Sequence, residues 1–207
     1  MPAYITVDNL PSAGFVYPKN VTVSYRSYSF GEVKVMSQIA DNREDVFKLV
    51  SAGIEVTGMH KDKLTLADYL YIALLRKLVT TQAETFSVNW ICAGCTSSNT
   101  TPFSYEEMEF RDLSVKMPRS VQLSSKLFKF SPLTIKQYMN LKAEDPVALL
   151  ASCCVNHPYK TAHKALFDEN DIIKVEALDD ALDHMLLPLS CKCSTCAKSS
   201  KLDLLDG

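Results

Sequence analysis

The stretch WICAGC, Trp90–Cys95, sets two cysteines two residues apart at the end of an alternating segment, ETFSVNWI. A second pair, CSTC, stands at Cys193–Cys196, close to the end of the chain. A Cys-x-x-Cys turn points both sulfurs to one side. Two such turns therefore supply four thiolates, the complement of a closed tetrahedral zinc site with sulfur about 2.3 Å from the metal. A catalytic zinc keeps one position open for water and usually draws on histidine or carboxylate. No histidine stands beside either pair, so the set reads as structural. The candidate ligands are Cys92, Cys95, Cys193 and Cys196, with Cys191 able to substitute for Cys193. Ordinary reduced cysteines, an iron–sulfur cluster or a redox pair are the competing readings. A thioredoxin-like pair would open a helix, whereas WICAGCTSSNTTP runs into loop residues.

The distance between the two pairs asks for an internal repeat. VSYRSYSFGEVKVM (23–36) lies against KLFKFSPLTIKQYM (126–139), with Ser29 opposite Ser131, Glu32 opposite Thr134 and Lys34 opposite Lys136. DVFKLVSAGI from Asp45 lies against DPVALLASCCV from Asp145, and the cysteine pairs follow in the same order. Each copy reads as a proline-marked turn, a strand (VTVSYRSY, VQLSSKLFKF), a capped helix, a short helix, a longer helix and a strand into the knuckle. Ser29 with Glu32 forms a candidate capping box, and Ser131 with Pro132 at the first helical position is its expected counterpart. Thr65 caps TLADYLYIALLRKLV, and EALDDALDHMLL ends before Pro188. The expectation is an α+β protein of two internally repeated small units joined by a four-cysteine zinc site. The first unit covers 1–110 and ends in knuckle Cys92/Cys95; the second covers 111–207 and ends in knuckle Cys193/Cys196. A clip of this span removes chain entropy of about 4.7 kcal/mol from the unfolded state, if it acts as a disulfide would.

The rest of the composition excludes more than it points to. Of 207 residues 47% are apolar, enough for a real core, and the formal charge of −2 argues against nucleic acid as the default partner. No apolar run is long enough to span a bilayer, and MPAYITVDNLPSAG lacks the pattern of a signal peptide, so a cytosolic chain with reduced cysteines is expected. Cys153 and Cys154 are adjacent, so their side chains diverge and burial is their expected role. His157 and His163 fall in what reads as a polar loop, NHPYKTAHKALFDEN; His60 also falls in a loop and His184 on a helix. Glycine-rich phosphate loops, nucleophile elbows and His-Glu-x-x-His are all missing. The acidic pairs Glu106–Glu107 and Asp179–Asp180 read as solvated faces.

NLPSAGFVYPKNVTVSYRSYSFGEVKVM, then LTLADYLYIALLRKLV leading to CAGC, then a late Cys-x-x-Cys together resemble a family of tailed-phage baseplate hub and hub-assembly proteins. The second unit departs from that pattern in its short strand before the knuckle and in the extra Cys191. The resemblance implies a non-enzymatic structural or chaperone-like protein. It would be made in the host cytoplasm, could remain in the virion tail, and would bind other baseplate, hub or tail proteins. It implies no small-molecule substrate and no membrane. Phe15, Tyr17 and Tyr25 near the proline turn are candidate contacts, with Tyr25 better suited to the core. The alternative is a zinc-ribbon-type adaptor on nucleic acid or a protein complex.

Overall fold

The computed structural model describes residues 3–38, 42–108, 117–141, 145–169, 172–183 and 189–202. Among these residues the structure is mixed α+β, built from small antiparallel sheets and seven α-helices. In the first unit, β1 (Ile5–Thr6), β2 (Thr22–Tyr25) and β3 (Ile54–Thr57) form one sheet in that order. Alternation along β2 turns Val23 and Tyr25 inward, so Tyr25 is a core residue. Between β2 and β3 run α1 (Phe30–Met36) and α2 (Arg43–Ser51). Ser29 caps α1 through the expected capping box with Glu32, and Asn42 caps α2. The long helix α3 (Leu66–Thr81) starts at Thr65, whose hydroxyl accepts from the Asp68 amide. It ends at Gln82, the C-cap, in the left-handed region.

Two buried polar groups on α3 organise this unit. Asp68 accepts from the Ser12 amide (2.8 Å), the Ser12 hydroxyl (2.5 Å) and the Tyr17 hydroxyl, which pins the proline turn to the first turn of the helix. Burial pushes the Asp68 carboxyl above its ordinary range, and these hydrogen bonds pull against it. Tyr17 is thereby a structural residue, while Phe15 stays open to solvent. One helical stretch further on, Arg76 is fully buried, with its guanidinium 3.8 Å from the centre of the Tyr28 ring. It donates to the carbonyls of Arg26 (2.8 Å) and Val50 and to Glu32 (3.4 Å). A Cβ at position 53 would lie 2.1 Å from an Arg76 nitrogen, so any other residue there would displace the buried guanidinium from its hydrogen bonds.

The second unit follows a related order, with an isolated bridge in place of β3 and an added helix. β6 (Arg119–Leu123) and β7 (Lys126–Phe130) form a hairpin, where the sequence had suggested one strand through VQLSSKLFKF. The chain reverses in a two-residue turn at Ser124–Ser125, with Ser124 at φ 55°. α4 (Ile135–Met139), α5 (Pro146–Ser152), α6 (Tyr159–Phe167) and α7 (Ile172–Asp183) follow. The backbone fixes the correspondence between units. Tyr25 pairs with Ile54 while the Arg26 amide donates to Gly53; Phe130 pairs with Cys154 while the Ser131 amide donates to Cys153. Ser131 is therefore a sheet residue and not the helix cap. The cap is Thr134, three residues later, and its capping-box partner is Gln137. The true partner of Ser29 is Thr134, which corrects the sequence alignment. The segment around His157 and His163 also differs from its reading as a loop. Residues 159–167 are helical, and Ala162 and Leu166, four apart, are buried beneath a polar face.

Between and after these units come two knuckle-bearing hairpins: β4 (Thr85–Ile91) with β5 (Ser98–Ser104), and β8 (Leu189–Lys192) with β9 (Ser199–Leu202). Three apolar clusters result. One fills the first unit around Val23, Tyr69 and Ile72, and one fills the second around Phe128, Phe130 and Leu150. The third lies under the two hairpins, where Phe86, Trp90 and Phe103 from one meet Leu189 and Cys191 from the other. The hairpins of both units thus share a core of their own.

Candidate metal centre

The two knuckles are built alike. In the first, the Cys92 amide donates to Ser97 O (3.0 Å) and the Thr96 amide returns to Cys92 O (2.8 Å). In the second, the Cys193 amide donates to Lys198 O (2.9 Å) and the Ala197 amide returns to Cys193 O (3.0 Å). Thr96 and Ala197, each directly after the second cysteine, both take φ 58°. The Gly94 and Thr195 amides point at the first sulfur of their own turn, at 3.3 and 3.4 Å. At Cys193 the Thr195 N–H favours thiolate over thiol.

The four sulfurs of Cys92, Cys95, Cys193 and Cys196 all lie within 4.8 Å of one another and could hold a metal ion. The contacts run crosswise, Cys92 to Cys196 at 3.7 Å and Cys95 to Cys193 at 3.6 Å. A tetrahedron of sulfurs about 2.3 Å from a central ion has edges of about 3.8 Å. The cross-hairpin spacing fits that figure. Cys92 and Cys193 are buried, Cys95 is half-buried and Cys196 is exposed, so the centre sits at the edge of the shared core. Side by side, four thiols divide their protons unevenly. The Ser97 hydroxyl, with help from nearby amides, brings Cys193 down to about 5, and it lowers Cys95 as well. At Cys196 the Lys198 amide pulls downward, but the Cys95, Cys92 and Cys193 sulfurs outweigh it and push the thiol up to about 11. Four negative sulfurs in one place need a cation to coexist.

Cys191 lies outside the set. It occupies the inward position two residues before Cys193, as Trp90 does before Cys92. Its thiol donates to Ser200 O at 3.4 Å, and burial pushes it up. It is a core residue of the second hairpin. Cys153 is buried at the end of α5 and Cys154 half-buried, both in the second unit's core. His60 lies 2.6 Å from Asp62, His157 sits against Phe128, and His163 stacks with Tyr159 and Phe167. His184 lies outside the described residues, as does Pro188.

Two residues that hold the centre together have no counterpart in the cysteine pattern. Ser97 lies 3.0 Å from Cys95 Sγ and 3.3 Å from Cys193 Sγ, bridging the hairpins. Asn99 is buried on β5. Its carbonyl accepts from the Ser194 amide (3.0 Å) and hydroxyl (2.9 Å), and its amide donates to Ser97 O (2.9 Å). The signal in the sequence is a short polar run, CTSSN, directly after the knuckle.

Comparison of the chain with protein-family models, with curated proteins and with solved structures found no match. Among the described residues, no helix is long and apolar enough to cross a membrane.

Proposed function

We propose that this chain is a non-enzymatic structural or assembly protein of a phage tail baseplate hub, stabilised by one structural zinc ion. The observation that carries the zinc part is the crosswise set of four sulfurs drawn from two hairpins. When all four positions are filled by sulfur, none is left for water or substrate, so the ion holds and does not react. Its task is to join the ends of the two units. The baseplate part rests on the likeness of the opening NLPSAGFVYP segment and of the helix–strand–knuckle order to hub and hub-assembly proteins. In that role the chain would work in the host cytoplasm and hold neighbouring hub or tail subunits, with exposed Phe15 as one contact.

Two measurements on one sample test the reading. Elemental analysis of the purified chain is expected to give one zinc per molecule. A tagged chain recovered from infected cells is expected to bring hub or tail subunits with it. Recovery with nucleic acid in their place would favour the zinc-ribbon adaptor, for which exposed Lys192, Lys198 and Lys201 on the second hairpin would be the contact. A chain without metal would overturn the zinc part.

A further inference from the structure

The two units meet at one backbone junction. Thr65 and Thr134, the caps of α3 and α4, pair as an antiparallel bridge. The Leu66 amide donates to Leu133 O at 2.8 Å and the Ile135 amide to Leu64 O at 2.9 Å. Through this junction Ile135, 1% exposed, enters the core of the first unit, while Leu66 packs against the core of the second. One helix start is the donor, inserting Ile135. The other is the acceptor.

On the reading of the chain as two repeated units, each unit carries its own version of both halves. The donor in the second unit is the start of α4, and its counterpart in the first is the start of α1. Ser29 stands for Thr134, Phe30 for Ile135 and Glu32 for Gln137, within the same capping box. The acceptor in the first unit is the start of α3, and its counterpart in the second is the start of α7. There Tyr69, Ile72 and Arg76 recur as Val175, Leu178 and Leu182, packed inward at the same spacing, which puts Ile172 where α3 has Leu66. Among the described residues, neither of these second halves is covered. Phe30 is 87% exposed, with no buried residue anywhere on α1, and Ile172 and Ile173 are 67% and 77% exposed. Large apolar side chains open at both ends of a repeat are the usual mark of an unfilled interface.

We propose that the Phe30 face of α1 docks on the Ile172–Ile173 edge of α7 in a second copy of this chain, repeating between molecules the junction that Ile135 and Leu66 make within one. The occupant is a second copy because the chain itself displays both sides of the contact and shows, once, how they fit. Donor and acceptor are different surfaces, so the contact is head-to-tail and extends beyond two copies into a ring or an open chain.

Sedimentation of the full, zinc-loaded chain over a range of concentrations tests this. The wild type is expected to grow past a dimer as concentration rises. Phe30→Glu, and separately Ile172→Glu combined with Ile173→Glu, are each expected to remain monomeric. An equal mixture of the two variants is expected to form a dimer and nothing larger, since each brings one intact face. That mixture also serves as the folding control, because an unfolded variant could not restore the dimer. A wild type that stays monomeric throughout would overturn the proposal. So would a Phe30→Glu variant that associates like the wild type, or a mixture that remains monomeric.

Discussion

Removing the metal should be felt across the whole chain. Cys95 and Cys193 are 98 residues apart in a chain of 207, so an ion that grips both closes nearly half of the molecule into one loop. For a cross-link closing about 100 residues, the entropy withdrawn from the unfolded state is worth about 4.7 kcal/mol. In a chain of this length each kcal/mol moves the thermal midpoint by about 2–4 °C, so the expected drop is about 9–19 °C. The fold should survive, because the apolar cluster under the hairpins and the Asn99 bracket do not depend on the ion. Calorimetry with and without a zinc chelator reads the shift directly, and Cys193→Ser should reproduce it. Cys191→Ala is the control. It trims a core side chain outside the sulfur set, should cost about 1 kcal/mol and should keep its metal. A chelator-induced shift below about 3 °C, less than about 1 kcal/mol, would refute the clip. Loss of metal from Cys191→Ala with retention in Cys193→Ser would refute the assignment of the ligands.

Asn99→Ala removes the acceptor for the Ser194 amide and hydroxyl, and should cost about 1–2 kcal/mol. With the second knuckle less firmly held, metal transfer to a colorimetric chelator should be faster than in the wild type; an unchanged rate would mean the bracket does not guard the ion. Glu32 offers a pH test. Burial opposes its charge, but the Arg26 fork at 2.7 and 2.9 Å and the Ser29 amide overcome this and hold the carboxyl down to about 2. With the folded value below the ordinary 4.5, the stabilisation is complete above pH 4.5 and is lost as pH falls toward 2. Glu32→Gln should therefore lose on the order of 3 kcal/mol at neutral pH and match the wild type near pH 2, as read by urea unfolding. A gap that does not change with pH would contradict this account.

The knuckles were legible because their chemistry is local. Two residues between cysteines define a turn, and a turn repeated far along the chain asks for a shared ion. The capping box at Ser29 and the Thr65 cap were legible for the same reason, since each is settled within four residues. What could not be read was where a repeat had slipped. Ser131 looks like Ser29 in sequence, yet its amide belongs to a bridge with Cys153, a partner that only the folded chain brings near. The hairpin turn at Ser124–Ser125 lacks the glycine or asparagine that marks such turns. The α6 helix hides because only Ala162 and Leu166 of its nine residues are buried, too thin a stripe to stand out among lysines and histidines. Asn99 carries no spacing rule at all; it matters because its carboxamide reaches the opposite knuckle.

The two units differ in detail around a matching backbone frame. In the second unit Gln137 caps its own helix and donates directly to Ser152 O at 2.6 Å. In the first, Glu32 sits in the equivalent place, and Arg26 reaches the corresponding Ala52 carbonyl at 3.4 Å. The Glu32 carboxylate also accepts from the buried Arg76, whose guanidinium lies directly against Gly53. The hairpins also differ. β4 and β5 pair over seven residues each and bury Phe86, Trp90 and Phe103, whereas among the described residues β8 and β9 pair over four and place Cys191 where the first hairpin has Trp90. A two-stranded hairpin of that length is marginal in water by itself. Its Cys193 and Cys196 lie against the sulfurs of a hairpin that has its own aromatic core. An ion held by all four sulfurs would therefore tie the shorter hairpin to the better-packed one, so that it would not have to be stable alone.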